Sequence, residues 1–316
     1  GVDRLQVREV ATPQLDAGEV LIAVEYADVA VWDPEEREGE LAAMAEQIYG
    51  QPPGFPLVLG SDGAGRIVAV GEGVDASRIG QRVYAGVFLS PKGGFYAEYT
   101  AVPASSAAAI PSGLSSREAS SLGGDAVTAL CGLDNTLKLR DGETVLIFGA
   151  GGGIGHAALQ LAKRMGARVL AIASGPDGVE LAQRLGADHA IDGRRDDIAE
   201  AAKAFAPTGI DAALLTAGGE AARQSLGTLR AGGRAAYPTG IEPVPEAPEN
   251  TALHQFDGNG TPDVTDRLNQ LIEAESDVPF HVEIARSFPM DEVAHAHRML
   301  DQHYLGKLAL QVSSNA

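Results

Sequence analysis

The residues best placed to do chemistry lie in a glycine-rich segment near the middle of the chain. The stretch FGAGGGIGHAALQLAK (148–163) carries the pattern A-x-G-x-x-G on Ala150, Gly152 and Gly155. It follows an apolar strand candidate and opens a helix candidate, so that unpaired N–H groups at the helix start can face a pyrophosphate. Gly152 would let the backbone approach the phosphates, and Gly155 would let the helix pack closely on the strand. A glycine cluster alone is weak evidence, but this context predicts dinucleotide binding.

Further candidate cofactor-binding residues follow the neighbouring strands. The next strand ends at Ser174, a small neutral residue that leaves room for a 2′-phosphate, whereas an acid there would favour NAD. Arg194 and Arg195 could supply positive charge, and Asp177 and Glu180 oppose it. NADPH is therefore favoured, with NADH as the alternative. The predicted cofactor-binding set is Ala150, Gly152, Gly153, Ile154, Gly155, Ser174, Arg194, Thr216 and Tyr237.

Strands and helices alternate along the part of the chain that contains these residues. After strand 144–149 and its helix come strand 168–173, helix 178–185, strand 189–192, helix 196–205, strand 210–216, helix 220–229 and strand 233–238. This order implies right-handed crossovers and a parallel sheet with helices on both faces. The sequence therefore predicts a doubly wound, Rossmann-type α/β domain.

The flanking regions have a different rhythm. Short β-rich segments at 19–27, 65–71 and 81–88 are separated by Gly, Pro and Asp turns. A helix at 291–300 and a strand at 307–312 close the chain, and we expect them to fold back onto the first domain. The predicted domains are 1–121, 122–252 and 253–316, so that the Rossmann domain is an insertion in a β-rich catalytic domain.

Composition excludes several kinds of partner. The net charge of −19 and the pI of about 4.7 repel phosphate backbones and anionic membrane surfaces, so neither nucleic acid nor a membrane is expected as a partner. No apolar stretch is long enough to span a bilayer, and no signal-peptide pattern opens the chain. The single cysteine, Cys131, fits a reducing cytoplasm. Because the sequence starts at Gly1, we expect a leading segment to have been removed or left out.

Several segments, taken together and in this order, resemble the medium-chain dehydrogenase/reductase superfamily. They are LGSDGAGRIVAVGEGV (59–74), GGFYAEY (93–99), GDAVTAL (124–130), the glycine turn, LRAGGRAAYPTG (229–240), AHRML (296–300) and the closing Gly306-Lys307. The resemblance implies a GroES-like catalytic domain, a Rossmann domain, an active site in the cleft between them and a homodimer. It also implies that a short first strand precedes Gly1.

Departures from the family's zinc-dependent branch point to metal-free chemistry. Its three catalytic zinc ligands fall on Ala30, Ser61 and Gly124, and its four-cysteine structural lobe is absent. Alanine, serine and glycine cannot replace the thiolate and imidazole ligands of zinc. The metal-free, quinone-oxidoreductase-like branch reduces conjugated acceptors such as quinones and enones. The alternatives are a metal-free alcohol dehydrogenase or carbonyl reductase in a biosynthetic pathway, and a non-catalytic NADPH-binding protein.

The resemblance also supplies two candidate catalytic residues. Tyr49 matches a tyrosine that lines the cleft in similar reductases and could donate to the substrate carbonyl; the alternative is a loop tyrosine that packs on Pro52 and Pro53. Thr128 matches a threonine beside the nicotinamide, against the alternative of an ordinary threonine at a helix start.

Four other polar residues are expected to be structural. Asp33 and Arg37 could pair within their own loop, and His295 and His297 could lie on the surface or in the core of their helix.

Overall fold

The computed structural model describes residues 1–52, 54–248 and 251–313. The chain divides into two units. The first unit contains Gly1–Gly124, Gly260–Pro262 and the chain from Ile284 onward, and the second contains Asp125–Asn259 and Asp263–Glu283. The boundaries 1–121, 122–252 and 253–316 stay a prediction for the folding domains.

The regular elements are numbered in chain order. The strands are β1 (Glu19–Val29), β2 (Asp62–Val70), β3 (Arg82–Gly86), β4 (Tyr99–Pro103), β5 (Ala107–Ala109), β6 (Thr144–Phe148), β7 (Arg168–Ala173), β8 (His189–Asp192), β9 (Ile210–Leu215), β10 (Leu229–Pro238), β11 (Ala252–Phe256), β12 (Ile284–Pro289) and β13 (Lys307–Gln311). The α-helices are α1 (Asp33–Glu38), α2 (Ala42–Tyr49), α3 (Ser116–Ala119), α4 (Val127–Leu130), α5 (Gly153–Arg164), α6 (Gly175–Arg184), α7 (Ile198–Phe205), α8 (Glu220–Leu226), α9 (Pro262–Glu273) and α10 (Val293–Met299).

The first unit is built on a mainly antiparallel sheet in the order β12-β13-β1-β2-β3-β5, with β4 also paired to β1. Strand β1 forms because its apolar residues alternate with less buried ones: Val20, Ile22 and Val24 point into the core of this unit. The acidic segment 33–51 contains the two short helices α1 and α2.

The second unit carries the doubly wound sheet that the sequence predicts. Its strands are all parallel and follow the order β11-β10-β9-β6-β7-β8. The chain runs outward from β6 through β7 to β8 and then restarts at β9 on the other side of β6. Ligands of such sheets bind beyond the carboxyl ends of the strands at this reversal, and the turn from β6 into α5 lies there.

Some predicted boundaries need correction. Helix α8 ends at Leu226 rather than at residue 229, because Gly227 follows it and Leu229 already pairs with Ile210 of β9. Helix α6 begins at Gly175 rather than at 178, since Ser174 lies at its N-cap. Within the described ranges, no helix is long and apolar enough to cross a membrane.

Candidate functional site

The glycine turn has the geometry of a phosphate-binding loop. Gly149 turns the chain with φ 82° after β6, and Gly152 lies at the N-cap of α5, a helix of 12 residues. A Cβ on Gly155 would overlap the carbonyl oxygen of Gly149, so this position tolerates only glycine without a backbone shift. A Cβ on Gly152 would meet nothing nearer than 3.5 Å. Close packing within the protein therefore requires Gly155, whereas Gly152 leaves its side of the turn open to a ligand.

Neighbouring strands hold this turn in place. The fully buried Ala150 donates its N–H to the carbonyl of Ile172 in β7, at 3.0 Å. The hydroxyl of Thr216, at the end of β9, donates to the carbonyl of Phe148 at 2.8 Å. Thr216 thus supports the turn from the adjacent strand. Its predicted contact with the cofactor stays a prediction, as does that of Tyr237, which lies half-buried in β10.

The end of β7 is where the sequence predicts the far end of a dinucleotide. Ser174 has a buried Oγ that finds no hydrogen-bond partner in the described part of the chain. Arg194 and Arg195 follow the adjacent strand β8 and are exposed. A neutral residue with two cations on the next strand end is an arrangement that can accept a phosphate.

Thr128 is the second residue of α4, between two π-helical turns at Leu122–Ala126 and Cys131–Thr136. It is half-buried. Gly258 packs directly on it, because a Cβ on Gly258 would overlap the Thr128 hydroxyl. No motif in the sequence indicates this contact between residues 130 positions apart.

In the first unit, Tyr49 is the last residue of α2 rather than part of a loop. Its hydroxyl donates to the carbonyl of Phe88 at 2.9 Å, and partial burial raises the pKa of its phenol. The side chain is 38% exposed. The alternative packing on Pro52 and Pro53 involves Pro53, which lies outside the described residues. The phenol can donate to a substrate only after it releases the Phe88 carbonyl.

An aromatic pair that sequence reasoning missed lies beside Tyr49. The Trp32 and Phe88 rings meet edge to face at 6.4 Å, and the Trp32 indole N–H donates to Ser61 Oγ at 3.0 Å. Ser61, Phe88 and Tyr49 are thereby joined by one chain of contacts. Trp32 is the only tryptophan of the protein, so composition alone could have marked it for inspection.

The three positions that match zinc ligands lie in this unit, and a carboxylate lies against one of them, Gly124. Asp62 Oδ2 accepts the N–H of Gly124 at 2.9 Å, and a Cβ on Gly124 would lie 2.8 Å from the same oxygen. A cysteine at position 124 would therefore require Asp62 to move. Within the described residues, no group of three or more His, Cys, Asp or Glu side chains is arranged to hold a metal.

Two carboxyl groups of α1 are buried and perturbed. Asp33 accepts hydrogen bonds from the Ala30 N–H at 2.8 Å and the Tyr96 hydroxyl at 2.6 Å, yet burial raises its pKa to about 6. Glu36 is 6% exposed, and burial, together with the nearby Asp33 charge, raises its pKa to about 8. Glu36 is therefore mainly protonated at neutral pH.

The expected pairing of Asp33 with Arg37 is wrong. Arg37 donates instead to Glu38 at 2.8 Å and lies 3.0 Å from Nδ1 of His297. His297 is buried, and burial with the Arg37 charge lowers its pKa to about 4. A neutral His297 can accept from Arg37, so α10 draws the arginine away from Asp33. As expected, His295 is a surface residue, 47% exposed in its side chain.

Comparison with known proteins identifies the class. The alcohol dehydrogenase GroES-like domain family matches residues 16–112, and the zinc-binding dehydrogenase family matches residues 153–257. An alcohol dehydrogenase of Geobacillus stearothermophilus is 33% identical over 72% of this chain and 72% of its own length. A quinone oxidoreductase of Lama guanicoe is 28% identical over 92% of this chain and 88% of its own length. The quinone oxidoreductase of Thermus thermophilus, solved also with NADPH, superposes with a TM-score of 0.75 at 29% identity, covering 97% of this chain and 96% of that one.

The chain therefore belongs to the medium-chain dehydrogenase/reductase superfamily, in its quinone-oxidoreductase-like branch. It is an oxidoreductase of a family that binds nicotinamide cofactors. This confirms the resemblance stated from the sequence and the fold class with it.

Proposed function

We propose that this protein is an NADPH-dependent, metal-free oxidoreductase that transfers hydride to a conjugated acceptor, a quinone or an α,β-unsaturated carbonyl compound. One observation carries the proposal: Ala30, Ser61 and Gly124 stand where the zinc branch has its ligands, and the Asp62 carboxylate takes up the space beside Gly124. A developing alkoxide on an isolated ketone needs a cation for stabilisation. Conjugation spreads the charge onto an oxygen that one or two neutral donors can stabilise.

The residues of the second unit fit the cofactor. The open side of Gly152 and the first N–H groups of α5 would hold the pyrophosphate, and Ser174 with Arg194 would take the 2′-phosphate. The Thr128 hydroxyl would fix the nicotinamide ring. When bound, the nicotinamide supplies the hydride from C4.

The first unit would supply the donor to the substrate. In our proposal Tyr49 gives up its bond to the Phe88 carbonyl and donates to the acceptor's oxygen. Because burial raises its pKa, the phenol keeps its proton throughout the neutral range. Water or a backbone N–H would take this role if Tyr49 does not.

The NADPH complex of the Thermus relative supports the cofactor choice by analogy. We further propose a cytoplasmic homodimer acting on a small molecule, without nucleic acid or membrane as partner.

Oxidation of NADPH by a panel of quinones, enones and simple ketones tests the proposal. We expect quinones and enones to react far faster than unconjugated ketones. Equal rates for ketones and enones would contradict the electronic argument.

The named activity of the Geobacillus relative favours a second candidate, a metal-free alcohol dehydrogenase or carbonyl reductase. The same panel separates it, since that enzyme would prefer ketones or oxidise alcohols with NADP⁺. Tight NADPH binding with no turnover on any acceptor would instead identify a non-catalytic binding protein.

A further inference from the structure

Two adjacent arginines, Arg194 and Arg195, could each meet a 2′-phosphate, and their surroundings differ. They follow β8, whose last residue, Asp192, pairs in register with Ala173 at the end of β7. The Arg195 Nε lies 3.8 Å from Asp192 Oδ2. The Arg194 guanidinium makes no hydrogen bond or ion pair with any residue that the structure describes. Of these two arginines, Arg194 is the one whose guanidinium forms no ion pair with a described residue, although backbone hydrogen bonds and the charges of both arginines lower the pKa of Asp192.

Asp192 also joins the two loops that follow these strands. Its Oδ1 accepts the N–H of Gly175 at 3.1 Å and the N–H of Arg194 at 3.0 Å. Gly175 comes directly after Ser174 and has φ 83°, so the first bond holds the turn into α6. The second bond holds the Arg194 backbone beside that turn. The side chain of Asp192 is only 9% exposed.

We infer that Arg194, rather than Arg195, pairs with the 2′-phosphate, and that Asp192 is a positioning residue that holds Arg194 beside Ser174 while it engages Arg195. The inference rests on the proposed use of NADPH. It deepens that proposal, because two neighbouring arginines of the same type receive different roles.

Binding of two fragments of the cofactor tests the inference without turnover. Calorimetric titration with 2′,5′-ADP and with 5′-AMP measures the contribution of the 2′-phosphate alone. We expect wild type to favour 2′,5′-ADP, and Arg194→Ala to lower the affinity for 2′,5′-ADP about ten- to hundredfold with 5′-AMP nearly unchanged. Arg195→Ala, the matched control, should change either affinity less than about threefold.

The role of Asp192 is tested in the Arg195→Ala background, which removes the arginine that a substitution at position 192 would release. Asp192→Asn and Asp192→Ala both remove the charge, but asparagine keeps an oxygen that can accept both N–H groups. We expect the asparagine variant to keep its preference for 2′,5′-ADP over 5′-AMP. In the alanine variant, the ratio of the two affinities should fall about fivefold or more.

Three results would overturn the inference while leaving the proposed cofactor intact. The first is a loss of affinity for 2′,5′-ADP in Arg195→Ala as large as that in Arg194→Ala, and the second is an equal preference for 2′,5′-ADP in the two Asp192 variants. The third is an equal loss of affinity for 5′-AMP and for 2′,5′-ADP in Asp192→Ala. The last would mark a merely structural role. Absence of any wild-type preference for 2′,5′-ADP would instead refute the use of NADPH and, with it, the inference.

Discussion

Replacement of Glu36 by glutamine should change how the stability of the first unit depends on pH. Glu36 lies in α1, is 6% exposed and has a pKa raised from 4.5 to about 8 by burial and by the Asp33 charge. One of its oxygens, Oε2, is buried without a hydrogen-bond partner in the described part of the chain. Glutamine has nearly the same shape as the protonated acid and cannot ionise, so it isolates the cost of the charge.

The magnitude follows from the two pKa values. Because the folded state holds its proton up to about pH 8 and the unfolded state releases it near 4.5, the folded state binds more protons between these limits. Wild-type stability therefore falls as pH rises through this window. At about 1.36 kcal/mol per pH unit the full cost above pH 8 is about 5 kcal/mol, and entry of water around the carboxylate reduces it to about 2–4 kcal/mol.

Urea unfolding at pH 5, 7 and 9, followed by the fluorescence of Trp32, measures this cost. Trp32 is the only tryptophan and precedes α1 directly, so its signal reports on the unit that contains Glu36. We expect the free energy of unfolding of Glu36→Gln, relative to that of wild type, to rise by about 2–4 kcal/mol between pH 5 and pH 9. Glu35→Gln, on the exposed side of the same helix, should stay within about 0.5 kcal/mol of wild type throughout. Parallel pH curves for wild type and Glu36→Gln would refute the reasoning.

Three further predictions concern the site. Gly155→Ala should lower the free energy of unfolding by about 1–3 kcal/mol, because the added Cβ overlaps the Gly149 carbonyl oxygen. Gly152→Ala should leave the free energy of unfolding unchanged and weaken NADPH binding. Thermal melts and NADPH titration measure the two effects, and equal stability of the two variants would contradict this prediction. The purified protein should hold no stoichiometric zinc by elemental analysis and keep its activity in chelator, and one tightly bound zinc per chain would defeat the metal-free proposal. Tyr49→Phe should lower kcat for enones about ten- to thousandfold, and for quinones less, with cofactor affinity nearly unchanged; an unaffected enzyme would remove Tyr49 as the donor.

The parts of the fold that could be predicted from the sequence are those with a local signal. Strand β7 and helix α5 follow from apolar spacing, and Gly166, with φ 82°, lies directly after the C-cap of that helix. Helix α9 went unpredicted although Thr265, Leu268, Leu271 and Ile272 are buried at helical spacing. Helix α1 carries the opposite signal, since two of its acids are the buried residues, and a pattern that relies on apolar residues facing inward cannot find it.

The residues of the site also fall into those with a local sequence signal and those without one. The roles of Gly152 and Gly155 are encoded within a few residues of one turn. The contact of Asp33 with Tyr96 and that of Arg37 with His297 are not encoded locally, because these partners lie 63 and 260 positions apart in the chain. Which polar group a buried carboxylate meets is decided by how distant strands and helices pack, and a single sequence holds no local trace of that choice.

Arg194 and Arg195 show how far this limit reaches into specificity. They are adjacent, of the same type and both exposed, so composition and spacing assign them the same role. The structure separates them through one carboxylate, which lies 3.8 Å from the Arg195 side chain and accepts the backbone N–H of Arg194 at 3.0 Å. A cofactor preference read from the number of nearby charges counts both arginines equally. If Arg195 is already engaged by Asp192, the cation available to a 2′-phosphate is one rather than two, and the preference for NADPH rests on how firmly Asp192 holds its neighbour in place.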